Sequence, residues 1–119
     1  MKYLVLEDEP LIAMDLQFAL EDAGYEAVTA SNNAQALSII GEGGIAGAIL
    51  DVSLGPNETC YETADRLQDA GIPFLLHTGD LNRIGEHLRE MNAPVLEKPR
   101  PADDVVGALL GMEEQRKAG

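Results

Sequence analysis

Five times along 119 residues, a short apolar run gives way to a longer segment of helical period. The runs are KYLVL (2–6), YEAVTA (25–30), IAGAIL (45–50), PFLLH (73–77) and PVLE (94–97). Between them the spacing predicts helices from about Pro10 to Ala23, from a cap at Ser31 or Asn32 to near Gly41, and from about Glu58 to Ala70. A weaker helix is expected over 82–91, interrupted by Gly85, and a last one from near Pro101. Runs that are apolar almost throughout are buried on both faces, as the strands of a helix-covered parallel sheet are. Right-handed crossovers then lead to a doubly wound, five-stranded parallel sheet in a single α/β domain spanning 1–119.

In such a sheet functional groups gather beyond the carboxyl ends of the strands. The first run leads into Glu7, Asp8 and Glu9, the third into Asp51, the fourth into Thr78, and the fifth into Lys98, which precedes Pro99. An ionised carboxylate at the edge of a core is costly unless it is paired or doing chemistry. Acids that cap the first helix and an Asp51–Lys98 ion pair would be the plain account. That account must explain four strand ends at once. Two or three carboxylates in one place need a cation, and hard oxygen ligands suit Mg²⁺. A carboxylate beside Mg²⁺ and a lysine can attack a phosphoryl group, and a hydroxyl such as Thr78 can then hydrogen-bond that group.

Composition narrows the classes. Twenty-one acids against eight bases give a net charge of −13, which argues against direct nucleic-acid binding and favours basic patches on partners. No 18-residue apolar stretch exists, so no membrane span is expected. The start MKYLVLEDEP turns acidic before a signal-peptide core could develop, and Cys60 is alone; both suggest a cytoplasmic, reducing setting.

VLEDEP (5–10), ILDVSLG (49–55), HTG (77–79) and EKP (97–99) together make the chain resemble a receiver domain of two-component response regulators, of flavodoxin-like fold, over essentially its whole length. The resemblance implies that Asp51 accepts a phosphoryl group from a histidine kinase or histidine phosphotransferase, with Mg²⁺ required. It places Asp8, Asp51 and the Ser53 backbone carbonyl on the metal, with Glu7 in place of the commoner aspartate and acting through a metal-bound water. Thr78 is the switch hydroxyl and Lys98 the family's lysine. DVSLG and GIPFLLHTGD (71–80) are similar to a group of often single-domain receivers whose fourth strand reads PFxFATG, although Leu76 and His77 replace its Phe and Ala.

Some positions depart from the family. Val95 stands where many receivers carry Tyr or Phe, and Arg100 where Phe follows the KP pair. Gly79 leaves the acceptor open to a kinase or to water. Asp80 either tunes phosphoryl lifetime together with Ser53 or simply caps the weak helix. His77 and His87 read as locally packed or solvated residues rather than ligands. On the first helix, Ile12, Leu16, Ala19, Leu20 and Ala23 form the expected core face. Leu11, Met14 and Phe18 form a second apolar stripe opposite it, a candidate docking face for the kinase.

Three other identities remain open at this point. The chain could be one receiver of a longer hybrid kinase or multidomain regulator, with the polar end 112–119 as linker. A haloacid-dehalogenase-type phosphatase would need a second aspartate two residues past the nucleophile, where Ser53 stands. A flavodoxin-like ligand-binding module would need a phosphate loop where EDEP stands, and those acids would repel a nucleotide.

Overall fold

The computed structural model describes residues 1–118, with side chains described through Met112; the side chains of the expected polar end lie otherwise outside the described residues. Five strands, β1 (Lys2–Leu6), β2 (Glu26–Ala30), β3 (Ile45–Leu50), β4 (Phe74–Thr78) and β5 (Val95–Glu97), pair in parallel in the order β2-β1-β3-β4-β5. The helices between and after them are α1 (Pro10–Asp22), α2 (Asn33–Glu42), α3 (Tyr61–Ala70), α4 (Glu86–Glu90) and α5 (Ala102–Ala118). The α/β fold anticipated from the five repeats is therefore the fold observed. Among the described residues, no helix is long and apolar enough to cross a membrane.

Strand residues alternate between two cores because successive side chains point to opposite faces. Leu4, Leu6, Ala48, Leu50, Phe74 and Leu76 pack under α2, α3 and α4, with Ala36, Ile40, Ala64, Leu67 and Leu88. Tyr3, Val5, Ile49 and Leu75 pack under α1 and α5, with Leu16, Leu20, Val105 and Leu109. Each fully buried Leu or Ile adds roughly 1.5–3 kcal/mol. Gly47 makes the second layer possible. A Cβ there would sit 3.0 Å from the Tyr3 ring and 3.3 Å from the Pro73 carbonyl, so the ring packs flush on β3 only because the side chain is absent.

Two boundaries and one helix face differ from expectation, each for a local reason. Helix α3 starts at Tyr61 rather than about Glu58, because Thr59 forms an antiparallel bridge with Ser53 and Glu58 turns its carboxylate to the first turn of α2. The weak helix over 82–91 is split into a 3₁₀ turn, Leu81–Arg83, and the short α4, with Gly85 at the break. On α1 the buried face is Ala13, Leu16, Ala19 and Leu20. Ile12 is half-buried against that core, and Ala23, also expected there, is exposed at the helix C-cap, where its N–H donates to the Ala19 and Leu20 carbonyls.

A buried polar knot, not foreseen, holds the segment after β3. The Asn33 amide donates to Glu58 Oε2 at 2.9 Å and to the Thr59 carbonyl at 2.7 Å. Its Oδ1 accepts from Thr63 Oγ1 at 2.6 Å. The Asn33 N–H donates to the same Glu58 oxygen at 2.9 Å. Loop 51–60 is thus tied to both α2 and α3.

Candidate functional site

Each strand-end residue is still pinned to the sheet by its own backbone. The Glu7 N–H donates to the Ala30 carbonyl at 3.0 Å, Asp51 N–H to Leu6 at 2.8 Å, and Lys98 N–H to Thr78 at 2.8 Å. Their side chains therefore leave the carboxyl ends of β1, β3 and β5 at one level of the sheet, and they meet there. Lys98 Nζ donates to Glu7 Oε1 at 2.8 Å and to Asp51 Oδ2 at 3.1 Å. Carboxylate oxygens of Glu7, Asp8 and Asp51 lie within 4.8 Å of one another. Glu7 and Asp51 are buried and Asp8 is exposed, so the cluster opens to solvent on the Asp8 side. Three hard oxygen donors in this space form a set that fits Mg²⁺.

Loops complete the site. The Ser53–Thr59 bridge bonds through Val52, Leu54, Glu58 and Cys60, so it uses neither of Ser53's own backbone groups. The Ser53 N–H turns to Asp51 Oδ1 at 3.2 Å. Thr78 is buried, and its Oγ1 accepts the Asp80 N–H at 3.1 Å. Asp80 caps the 3₁₀ turn, accepting from the Asn82 N–H at 3.0 Å, and it also lines the cleft. Capping is thus a role the geometry gives it directly. An open cleft of about 260 Å³ runs over Asp8, Asp51, Ser53, Thr78, Gly79 and Lys98. Glu9 makes no side-chain cap for α1; its N–H is instead held by Glu7 Oε2 at 3.2 Å.

The charges do not balance among themselves. Burial pushes the Glu7 carboxyl up to about 8, helped by its hydrogen bond to Asp51 and by that residue's charge, against the pull of Lys98. Burial disfavours the Lys98 ammonium, but the Glu7 hydrogen bond and the Asp51 charge outweigh it and hold the lysine protonated more firmly than usual. One lysine satisfies one negative charge; the second is in excess, and the buried Glu7 keeps a proton to relieve it. A cation would take that proton's place.

This has a sign. Glu7 rises from an ordinary 4.5 to about 8, so between those values the folded protein binds more protons than the unfolded one. Without divalent cation, its contribution is fully present below pH 4.5 and is lost as pH climbs towards 8. The slope is at most about 1.4 kcal/mol per pH unit. Urea unfolding at several pH values should show this slope in the unaltered protein and a flatter one in Glu7→Gln. Parallel slopes would contradict the charge account.

Other singled-out residues do not line the cleft. His77 is packed and buried, with neither ring nitrogen bonded to a described residue, and burial, with the nearby Lys98 charge, pushes it down to about 4. His87 is exposed and joins α4 to α3, with Nε2 2.8 Å from Asp65 and its ring 4.3 Å from that of Tyr61. Cys60 is a buried thiol pushed up to about 12 by burial and by the Asp51 charge, hence inert. Val95 and Arg100 are exposed, while Leu11, Met14 and Phe18 expose 77%, 45% and 52% of their surface. The stripe on α1 is therefore on the surface.

No family model matches the sequence, and no curated protein matches it. Solved structures are similar. SdrG from Sphingomonas melonis Fr1 is 38% identical, over 93% of each chain, with a TM-score of 0.78. A CheY-like response regulator receiver domain from Methanospirillum hungatei JF-1 shares the fold at a TM-score of 0.84 and 22% identity, over 99% of this chain and 98% of that one. The chain belongs to the response regulator receiver domains. A response regulator from Burkholderia pseudomallei, 25% identical over 99% of this chain and 72% of that one (TM-score 0.79), is described with a phosphorylated aspartic acid, a calcium ion and citrate.

Proposed function

We propose that residues 1–119 form a phosphorylation-dependent signalling receiver that takes a phosphoryl group onto Asp51 from the phosphohistidine of a histidine kinase or histidine phosphotransferase. The convergence of Glu7, Asp51 and Lys98 within hydrogen-bond distance carries this reading. An Asp51 carboxylate oxygen attacks phosphorus, the phosphorus–nitrogen bond breaks, and the imidazole leaves with the bonding pair. Lys98 offsets charge on the transferring oxygens and holds Asp51 in place, and Thr78 Oγ1 hydrogen-bonds the group once it is attached. Asp8, Asp51 and the Ser53 carbonyl would hold Mg²⁺ directly, with Glu7 through a water. When bound, the metal neutralises developing phosphoryl charge. The protein acts on no substrate beyond its own phosphorylation and dephosphorylation. It works in the cytoplasm and signals by protein contacts, with neither nucleic acid nor membrane as partner.

Leu11, Met14 and Phe18 form the surface that meets the kinase. Phe18→Ala should slow phosphotransfer from the cognate kinase about tenfold while leaving uptake from a small donor alone, as removal of one buried aromatic anchor does. Equal rates from the kinase would remove the stripe from the account. The function itself is tested by intact mass after incubation with acetyl phosphate. A gain of one phosphate is expected with Mg²⁺ and none after chelation; no gain in either case would end the proposal.

A further inference from the structure

The cleft over Asp51 is lined by the carboxylates of Asp8, Glu9, Asp51 and Asp80, with Lys98 the cation among the lining residues. Such a field opposes entry of a phosphodonor, which is itself an anion. Arg83 bears on this from the side. It ends the 3₁₀ turn after β4, yet its Nη1 donates to Ser53 Oγ at 3.2 Å. Ser53 lines the cleft and belongs to the loop that carries Asp51. The guanidinium is thus tethered from one loop to a cleft-lining residue of the other. Its own loop is braced as well, by Asp80 on the Asn82 N–H at 3.0 Å and by Arg89 Nε on the Ile84 carbonyl at 3.0 Å. A guanidinium has five donors, and the Ser53 bond engages one of them; the planar fork matches phosphate oxygens. Held in this way, it gives up less freedom on meeting an anion than a free surface arginine would.

We propose that Arg83, tethered beside the cleft by Ser53, is the residue that binds the phosphoryl oxygens of an incoming phosphodonor. The inference rests on the assignment of Asp51 as acceptor. It is tested by the initial rate of phosphate uptake against acetyl phosphate concentration at saturating Mg²⁺ and several ionic strengths. Arg83→Gln should raise the half-saturating donor concentration about three- to fivefold, the reach of one partly exposed charge, with the loss falling there rather than on the rate at saturation. The dependence on salt should flatten. Arg83→Lys should recover part of the loss. Ser53→Ala should raise the half-saturating concentration in the unaltered background but not in Arg83→Gln.

An unchanged half-saturating concentration and salt dependence in Arg83→Gln would overturn the inference and leave the Asp51 assignment standing. Arg83→Lys as poor as Arg83→Gln would also overturn it, since packing and not charge would then be at issue. No uptake by the unaltered protein would overturn both the inference and the function it rests on.

Discussion

Lys98→Met should slow phosphorylation of Asp51 by acetyl phosphate about 10²- to 10³-fold. Methionine keeps most of the stem but removes the ammonium that sits 2.8 Å from Glu7 and 3.1 Å from Asp51. The transferring oxygens lose a preorganised positive partner in a partly enclosed site, which costs about that factor elsewhere. Lys98 lies on β5's exit, held by the Thr78 carbonyl, so the backbone does not need the charge to stay in place. Stability should accordingly respond in a pH-dependent way. Without the ammonium, Glu7 and Asp51 repel more strongly, so the variant loses stability towards high pH and regains it as Glu7 protonates. A variant phosphorylated at the normal rate would show that the lysine is structural only.

Asn33→Ala should destabilise the fold by about 2–4 kcal/mol, one of the larger effects available outside the apolar core. The side chain is buried, and its loss strands the Thr63 hydroxyl and the Thr59 carbonyl, while Glu58 keeps only the Asn33 N–H. Unpartnered buried groups bear the full cost of desolvation. For a chain of this size the melting temperature should fall by roughly 10 °C. Amides over 58–63 should exchange faster than the rest, because the knot is what joins that loop to α2. Urea unfolding within 0.5 kcal/mol of the unaltered protein would show that water or a shift of α2 replaces the knot.

The sequence foretold these two sites unequally. Lys98, Asp51, Glu7 and Asp8 were legible because a parallel sheet puts the ends of non-adjacent runs side by side, whatever lies between them. The strands were legible for the same reason, since burial on both faces leaves an apolar run with little room for ambiguity. Asn33 was not. A polar residue opening a helix normally reads as a solvated cap, and its partners Glu58, Thr59 and Thr63 lie 25 to 30 residues away. The early start assigned to α3 has the same root: Glu58 suits a first helical turn by local chemistry, but its carboxylate is engaged by Asn33. Arg83 gave no signal either, because its meaning depends on a loop conformation that brings it back to Ser53. A cap of α2 at Ser31 or Asn32 was legible from local sequence; it is Asn32, whose Oδ1 accepts the Gln35 N–H at 2.9 Å.

The function proposed for this domain requires one acyl phosphate at one residue, Asp51. Protein phosphorylated with acetyl phosphate and Mg²⁺ can be reduced with borohydride, which converts a phosphorylated aspartate to homoserine, and the product located by peptide mass spectrometry. Homoserine at position 51 alone is the predicted result. Homoserine at position 8 or 80, or none anywhere in a protein that has gained phosphate, would contradict it.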